Sequence, residues 1–258
     1  ENITEIGKSA FYDCDTLYSI TLPESVLTLG EYAFYNCDTL TWINIPSNVN
    51  LIGGEAFRYC RYLAEVTIPA SVDSIGAWAF SSTGLKNVAI SDGETPLKLW
   101  EWAGYSIFSG DALESLYLGR DYTCNAQPFR EFQTMKALSI GSAITSLQSG
   151  AFEKCSGLEK IFCYNDIPPT CGQKVFSGVN KQLCYLYVPA MSIDLYKAAY
   201  TWNEFFNVGE TSVMNLKACE NAIDGMWFDL NGRPMESSKP GLNILRAKDG
   251  KAIKVFIP

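Results

Sequence analysis

The sequence predicts a solenoid of α/β type dominated by β. It has about eight stacked units of 21–28 residues sharing a parallel sheet, then a short helical cap and a small antiparallel β module. Three observations predict this. A nine-residue phrase recurs every 23 residues, a strand-like run follows each copy, and the chain changes its grammar after about residue 225.

The phrase Ile6-Gly7-Lys8-Ser9-Ala10-Phe11-Tyr12-Asp13-Cys14 returns as Leu29-Gly30 through Ala33-Phe34 to Cys37, and again as Ile52-Gly53 through Ala56-Phe57 to Cys60. Ile75-Gly76 to Ala79-Phe80 is a fourth copy, and Gly150-Ala151-Phe152 to Cys155 is a weaker one. With phenylalanine as marker the units number eight: Phe11, Phe34, Phe57, Phe80, Phe108, Phe129, Phe152 and Phe176. The runs that follow are Leu17–Leu22, Leu40–Ile45, Leu63–Ile68, Leu85–Ile90, Leu113–Leu118, Met135–Ile140, Leu158–Cys163 and Leu183–Val188. Pro23, Pro46, Pro69 and Pro189 close four of them, because proline cannot donate to a sheet ladder.

One such unit has too few apolar residues to close a core, so its Phe, Leu and Ile side chains must be covered by the next unit. Stacking sets equivalent strands side by side, roughly 4.8 Å apart, and the repeated direction of the connections makes the sheet parallel. Alternation sends Ile20 and Leu22 inward and Ser19 and Thr21 outward. The glycine of each Ile-Gly pair is expected to permit a tight corner.

The pattern I-G-x-x-A-F-x-x-C-x-x-L-x-x-I-x-I-P resembles the BspA-like, or Treponema-type, leucine-rich repeat, over about residues 3–208. The finish fits as well. Ile167-Pro168-Pro169-Thr170-Cys171, Leu186-Tyr187-Val188-Pro189 and Tyr196-Lys197 to Trp202 are similar to the way these arrays end. Ser192 is expected to cap a helix over about Ile193–Tyr200 that shields the last repeat. Glu1–Ile6 offers no such cap, and earlier repeats or a leader are expected ahead of it. The resemblance implies a secreted or surface-attached protein of Bacteroidetes-type bacteria, in a family associated with adhesion to host matrix proteins and other cells.

The array departs from its pattern in the middle. Thr83 stands where cysteine is expected, and Asp92–Gly104 is an insertion carrying Leu97, Leu99, Trp100 and Trp102. It is read either as a patch covering a kink in the stack or as a functional loop. The expected divisions are a solenoid over residues 1–208, a linker over 209–224 and a module over 225–258. In the module, the Asn231-Gly232 turn, the Lys239-Pro240-Gly241 break and the Asp249-Gly250 turn separate three or four short antiparallel strands. Asp229, Leu230, Gly232, Arg233, Pro240, Gly241, Leu242 and Ile244 make it similar to the C-terminal segment of type IX sorting domains. Whether it sorts, anchors or caps is left open.

Composition excludes much chemistry. The chain has no histidine, so a Ser-His-Asp triad, a Cys-His dyad and histidine-containing zinc sites are absent. Its net charge of −8 opposes a non-specific grip on nucleic acid or anionic lipid, and no run of about 18 apolar residues spans a membrane. Cys14, Cys37, Cys60 and Cys155 share one slot of the repeat and should form an inward ladder of reduced thiols. A line of thiols does not converge as a tetrahedron, so metal is disfavoured. A Cys163–Cys171 bridge across the Ile167–Thr170 turn stays open, and Cys124, Cys184 and Cys219 have no obvious partners. No cofactor motif occurs and no catalytic residue is nominated.

Surface remains. Among outward strand positions, Trp42 and Tyr117 are candidate contacts for a protein or glycan ligand, with Asn44, Glu65 and Asn87 as hydrogen-bonding neighbours and Phe162 as a further outward ring. Tyr185 and Tyr187 are expected to be covered by the cap and the module. The expected function is that of a non-enzymatic, secreted or cell-surface binding or adhesion protein, a monomer that presents its sheet face to a protein or glycan ligand. The alternative is a structural spacer or display stalk without a specific ligand.

Overall fold

A computed structural model describes residues 3–100, 106–125 and 127–211, together with the backbone of four strands beyond them. The chain winds as a stacked series of strand-bearing turns around one apolar interior. Its main face holds nine strands, all parallel where paired. Ser19–Thr21 pairs with Trp42–Asn44. Glu65–Ile68, Asn87–Ile90, Ser115–Leu118, Ala137–Ile140, Lys160–Cys163, Tyr185–Val188 and Asn207–Glu210 follow as one seven-stranded sheet. Eight of these lie in the runs picked out by the L-x-x-I-x-I pattern. The ninth, Asn207–Glu210, has no marker phenylalanine upstream, so the pattern passes over it; it pairs with Tyr185–Val188 and carries the sheet past residue 208.

A second parallel sheet uses the residues just before each marker phrase. Glu5–Ile6, Thr28–Leu29, Leu51–Ile52, Ser74–Ile75, Leu97–Leu99 and Tyr122–Thr123 line up in chain order. Ser146–Leu147 and Thr170–Cys171 pair separately. The inserted segment is therefore built into the sheet as far as Leu99: Leu97 and Leu99 are buried, while Trp100 is exposed with the Lys98 ammonium 4.1 Å from its ring centre. Trp102 lies outside the described residues.

Between the sheets the marker rings form a continuous stack. Phe11 to Phe34, Phe34 to Phe57 and Phe57 to Phe80 are 5.0, 5.2 and 5.0 Å apart and within 7° of parallel. At Phe80–Phe108 and Phe108–Phe129 the separations widen to 5.8 and 6.0 Å and the tilt rises to 20° and 29°. The irregular spacings of 28 and 21 residues thus appear as a fanning of the core over two successive joints.

From the second repeat on, the glycine after Ile/Leu is required for space, whereas Gly7 has open space around it. A Cβ on Gly53 would sit 2.5 Å from the backbone nitrogen of Glu31, and one on Gly76 would sit 2.3 Å from that of Gly54. Neither has a positive φ, so the expected corner is corrected to a close approach of successive repeats. Most left-handed residues of the turns are non-glycine, including Tyr32, Asn36, Glu55 and Trp78, alongside Gly110, Gly150 and Gly178.

The cap also differs from expectation. A 3-10 turn, Ala190–Ser192, runs directly into the helix Ile193–Ala198. Ser192 is already in right-handed helical geometry and makes no side-chain cap bond, and the helix stops before Tyr200. The shielding comes from Tyr196, Trp202 and Phe205. The Tyr196 hydroxyl donates to the Asn165 carbonyl at 2.9 Å, Trp202 Nε1 donates to the Pro169 carbonyl at 2.8 Å, and both Trp202 and Phe205 meet the Phe176 ring at 5.4 Å.

In the module, Pro234–Met235, Met226–Phe228, Gly241–Arg246 and Ala252–Ile257 lie in that order as an antiparallel sheet. The Asn231-Gly232 and Asp249-Gly250 turns, Lys239-Pro240, Cys219 and the linker from residue 212 lie outside the described residues.

Candidate binding surface

Six strands of the seven-stranded sheet give alternate side chains to the core. Val66, Val88, Leu116, Leu138, Ile161 and Leu186 point inward and are buried. Their neighbours form two rows on the outer face. One runs Glu65, Asn87, Ser115, Ala137, Lys160, Tyr185; the other runs Thr67, Ala89, Tyr117, Ser139, Phe162, Tyr187.

The second row collects the aromatic surface. Phe162 stacks on Tyr187 with ring centres 5.0 Å apart, and Tyr187 lies 6.1 Å from Tyr185. Gly209 makes room for this shelf, since a Cβ there would touch the Tyr187 ring at 3.3 Å. Tyr185 is 49% exposed, so the described residues leave it open where cover was expected. Reading the rings strand by strand hid this grouping; the register that puts Phe162 beside Tyr187 could have shown it.

The nominated residues divide by role. Trp42 is half-buried and Glu65 is exposed on the neighbouring strand. The Asn44 amide is occupied by the preceding repeat: its Oδ1 accepts from the Leu22 N–H at 2.8 Å and its Nδ2 donates to the Leu22 carbonyl at 3.2 Å. Asn87 Oδ1 accepts from the Ser115 hydroxyl at 2.6 Å. The Tyr117 hydroxyl donates to Asp92 Oδ1 at 2.6 Å. Burial and that carboxylate raise the Tyr117 phenol far above its ordinary value, which keeps the donor proton in place. Gly119 and Gly141 leave the space that the Tyr117–Asp92 pair occupies, a Cβ on Gly141 coming within 2.9 Å of the Tyr117 hydroxyl. Tyr117 is thus a strap over the middle of the sheet. Phe162, Tyr185 and Tyr187 lie together on the outer face, with Tyr185 the most exposed of the three.

Beneath the face, Arg120 is fully buried. Its Nη1 donates to the Ala70 carbonyl at 2.8 Å and its Nη2 to those of Pro69 and Val72 at 3.1 and 2.7 Å. Desolvation lowers its pKa. It fills the space beside Gly93, at the start of the inserted segment. Position after the strand was the only signal for it in the sequence, and that position is ordinarily polar and exposed.

The thiol ladder is built as a series of donors. Cys37 Sγ donates to the Phe11 carbonyl at 3.0 Å, and Cys60 and Cys155 donate to the carbonyls of Phe34 and Phe129 at 3.1 Å each. Burial pushes the Cys37 and Cys155 thiols up to about 11. No described cysteine is in a disulfide, Cys163 and Cys171 included. Among the described residues no three Cys, Asp or Glu side chains are placed to hold a metal ion, and no helix is long and apolar enough to cross a membrane.

Two parallel sheets wound around a phenylalanine ladder, with a closing helix at one end, define a leucine-rich repeat solenoid, the scaffold of a protein-interaction or surface-type protein. The chain belongs to the family of the BspA type leucine rich repeat region, whose profile matches in six copies across residues 1–103 and 103–206. Among solved structures it is similar to a leucine-rich repeat protein of T. pallidum, at 26% identity over 68% of this chain and 70% of that one, with a TM-score of 0.43. It is also similar to a leucine-rich repeat protein from Bacteroides ovatus, at 24% identity over 81% of this chain and 64% of that one, TM-score 0.38. A leucine rich cell surface protein from Faecalibacterium prausnitzii matches at 20% identity over 75% and 69%, TM-score 0.38. No curated protein matches the chain.

Proposed function

We propose that this protein is a non-enzymatic binding protein of the cell surface or extracellular space, acting as a monomer, whose main sheet presents an aromatic shelf to a protein or glycan. The observation that carries the reading is the stack of Phe162 on Tyr187, next to exposed Tyr185 and flanked by Lys160 on the adjoining row. Rigid rings offer contact area at low entropy cost. The interior side chains are spent on stacking, so the outer positions are the ones that vary without breaking the core. Trp42 and Glu65 form a second, N-terminal part of the same face.

The test is a low-salt binding screen against glycans and matrix proteins, repeated with Tyr185→Ala and Tyr187→Ala. Loss of a hot-spot ring weakens binding by about 30-fold, roughly 2 kcal/mol. A ligand whose affinity ignores both variants, but falls on substitution of the opposite edge, overturns the shelf. A chain that binds nothing in the screen is a spacer.

A further inference from the structure

Where the ladder slot three residues after the marker phenylalanine holds a buried cysteine, the thiol is a hydrogen-bond donor: Cys37, Cys60 and Cys155 each donate to the marker carbonyl of the preceding repeat. In the fifth repeat the same slot holds Asp111, whose own N–H bonds to the Phe108 carbonyl as the slot cysteines bond to theirs. The marker carbonyl of the preceding repeat is that of Phe80. Phe80 is fully buried, and among the described residues no donor reaches its carbonyl oxygen. Asp111 Oδ1 accepts from the Thr83 hydroxyl at 2.9 Å, while Oδ2 is buried without a partner. In the repeat positions that a thiol and a marker carbonyl take at each thiol-bearing step, this joint therefore has a carboxyl oxygen and a carbonyl oxygen, each without a donor among the described residues.

We propose that Asp111 is a proton-operated latch: with a proton on Oδ2 it donates to the Phe80 carbonyl as the thiols do to theirs, and on losing that proton to solvent it loosens the joint between the fourth and fifth repeats. A carboxylate has no hydrogen to give, and two acceptors left facing each other in an apolar interior repel. The joint is also where the ring stack opens, with Phe80 and Phe108 tilted by 20°.

Among the described residues no counter-charge faces the carboxylate. The Phe80–Thr83 turn has no titratable side chain. The next turn places Phe132 in the slot and carries Arg130 and Glu131, which pair with each other, Arg130 also with Glu153. Lys86 and Glu114, on the segments leading into the strands, pair at 3.2 Å. Burial accordingly pushes the Asp111 carboxyl up to about 7, with only the Thr83 hydrogen bonds opposing it.

A carboxyl pKa raised on folding favours the closed joint at low pH. The protonated latch is intact below the ordinary carboxylate range, and its contribution is lost as pH rises towards 7. Hydrogen exchange read by mass spectrometry, corrected for the intrinsic pH dependence of amide exchange, tests this on the whole chain. Opening of the peptides spanning residues 80–84 and 108–113 should rise about tenfold or more between pH 5 and pH 8. The turns around Cys37 and Cys60 should stay level. Asp111→Asn, whose amide donates at any pH, should hold both peptides closed throughout, and Asp111→Cys should do the same with the slot's usual residue. A wild-type profile without that rise, a rise shared equally by all repeats, or a rise that persists in Asp111→Asn or Asp111→Cys overturns the latch.

Discussion

The Cys60 thiol donates a hydrogen bond of 3.1 Å to the carbonyl of Phe34, one repeat back. That single contact explains why the slot takes cysteine. At Cys60 the site is closed to water and faced by a carbonyl that accepts from the Cys37 N–H and has its second lone pair otherwise unmet. A thiol is apolar enough to be buried there and still gives a weak donor.

Ladder thiols held this way should resist modification. In the folded protein at pH 8, Cys37, Cys60 and Cys155 should remain unalkylated while half-exposed Cys14 reacts, because burial raises their pKa and removes the thiolate. Denaturation without reductant should release all four to the reagent. Mass spectrometry that finds a Cys14–Cys37 bridge would reverse this account of the ladder.

Phe57 sits between Phe34 and Phe80 with both faces covered. Phe57→Ala should lower stability by about 3–5 kcal/mol, seen as a shift of the urea midpoint at unchanged slope. A loss under about 1 kcal/mol would mean that the stack closes over the gap.

Arg120 bonds three carbonyls of the Pro69–Val72 turn from a fully buried position. Arg120→Leu removes the charge and strands those carbonyls together. It should cost about 3 kcal/mol or more, comparable to breaking a buried polar network. Arg120→Lys should recover only part of this, since an ammonium cannot fork across three acceptors as guanidinium does. Equal stability of the two variants in urea titration would show that the forked geometry is irrelevant.

Tyr117 and Tyr185 share the outer face but should behave oppositely. Tyr117→Phe removes the donor to Asp92 and should cost about 1.5–3 kcal/mol, the range for a bond to a charged acceptor. Tyr185→Ala should leave thermal stability within about 0.5 kcal/mol, because the ring is half exposed. A reversed order would exchange their assigned roles as strap and contact.

The period of 23 residues, read with the alternation of the runs after it, determined the solenoid, the inward set Ile43, Val66, Leu116 and Leu186, and the outward set including Trp42 and Phe162. Those follow from local rules: a strand alternates, and a repeated unit must bury its apolar side against its neighbour. Other features depend on which atoms meet across repeats, and no spacing states that. The Ile-Gly glycines answer to the backbone of the preceding turn, Asn44 answers to Leu22, and Tyr117 answers to Asp92. The aromatic shelf arises only when register sets Phe162 against Tyr187. Asp111 and Phe80 lie 31 positions apart in the sequence, and nothing local marks that carboxyl as the replacement for a thiol. Sequence decides what each unit must bury; the stacking of one unit on another decides which polar groups are met, and which are left to a proton.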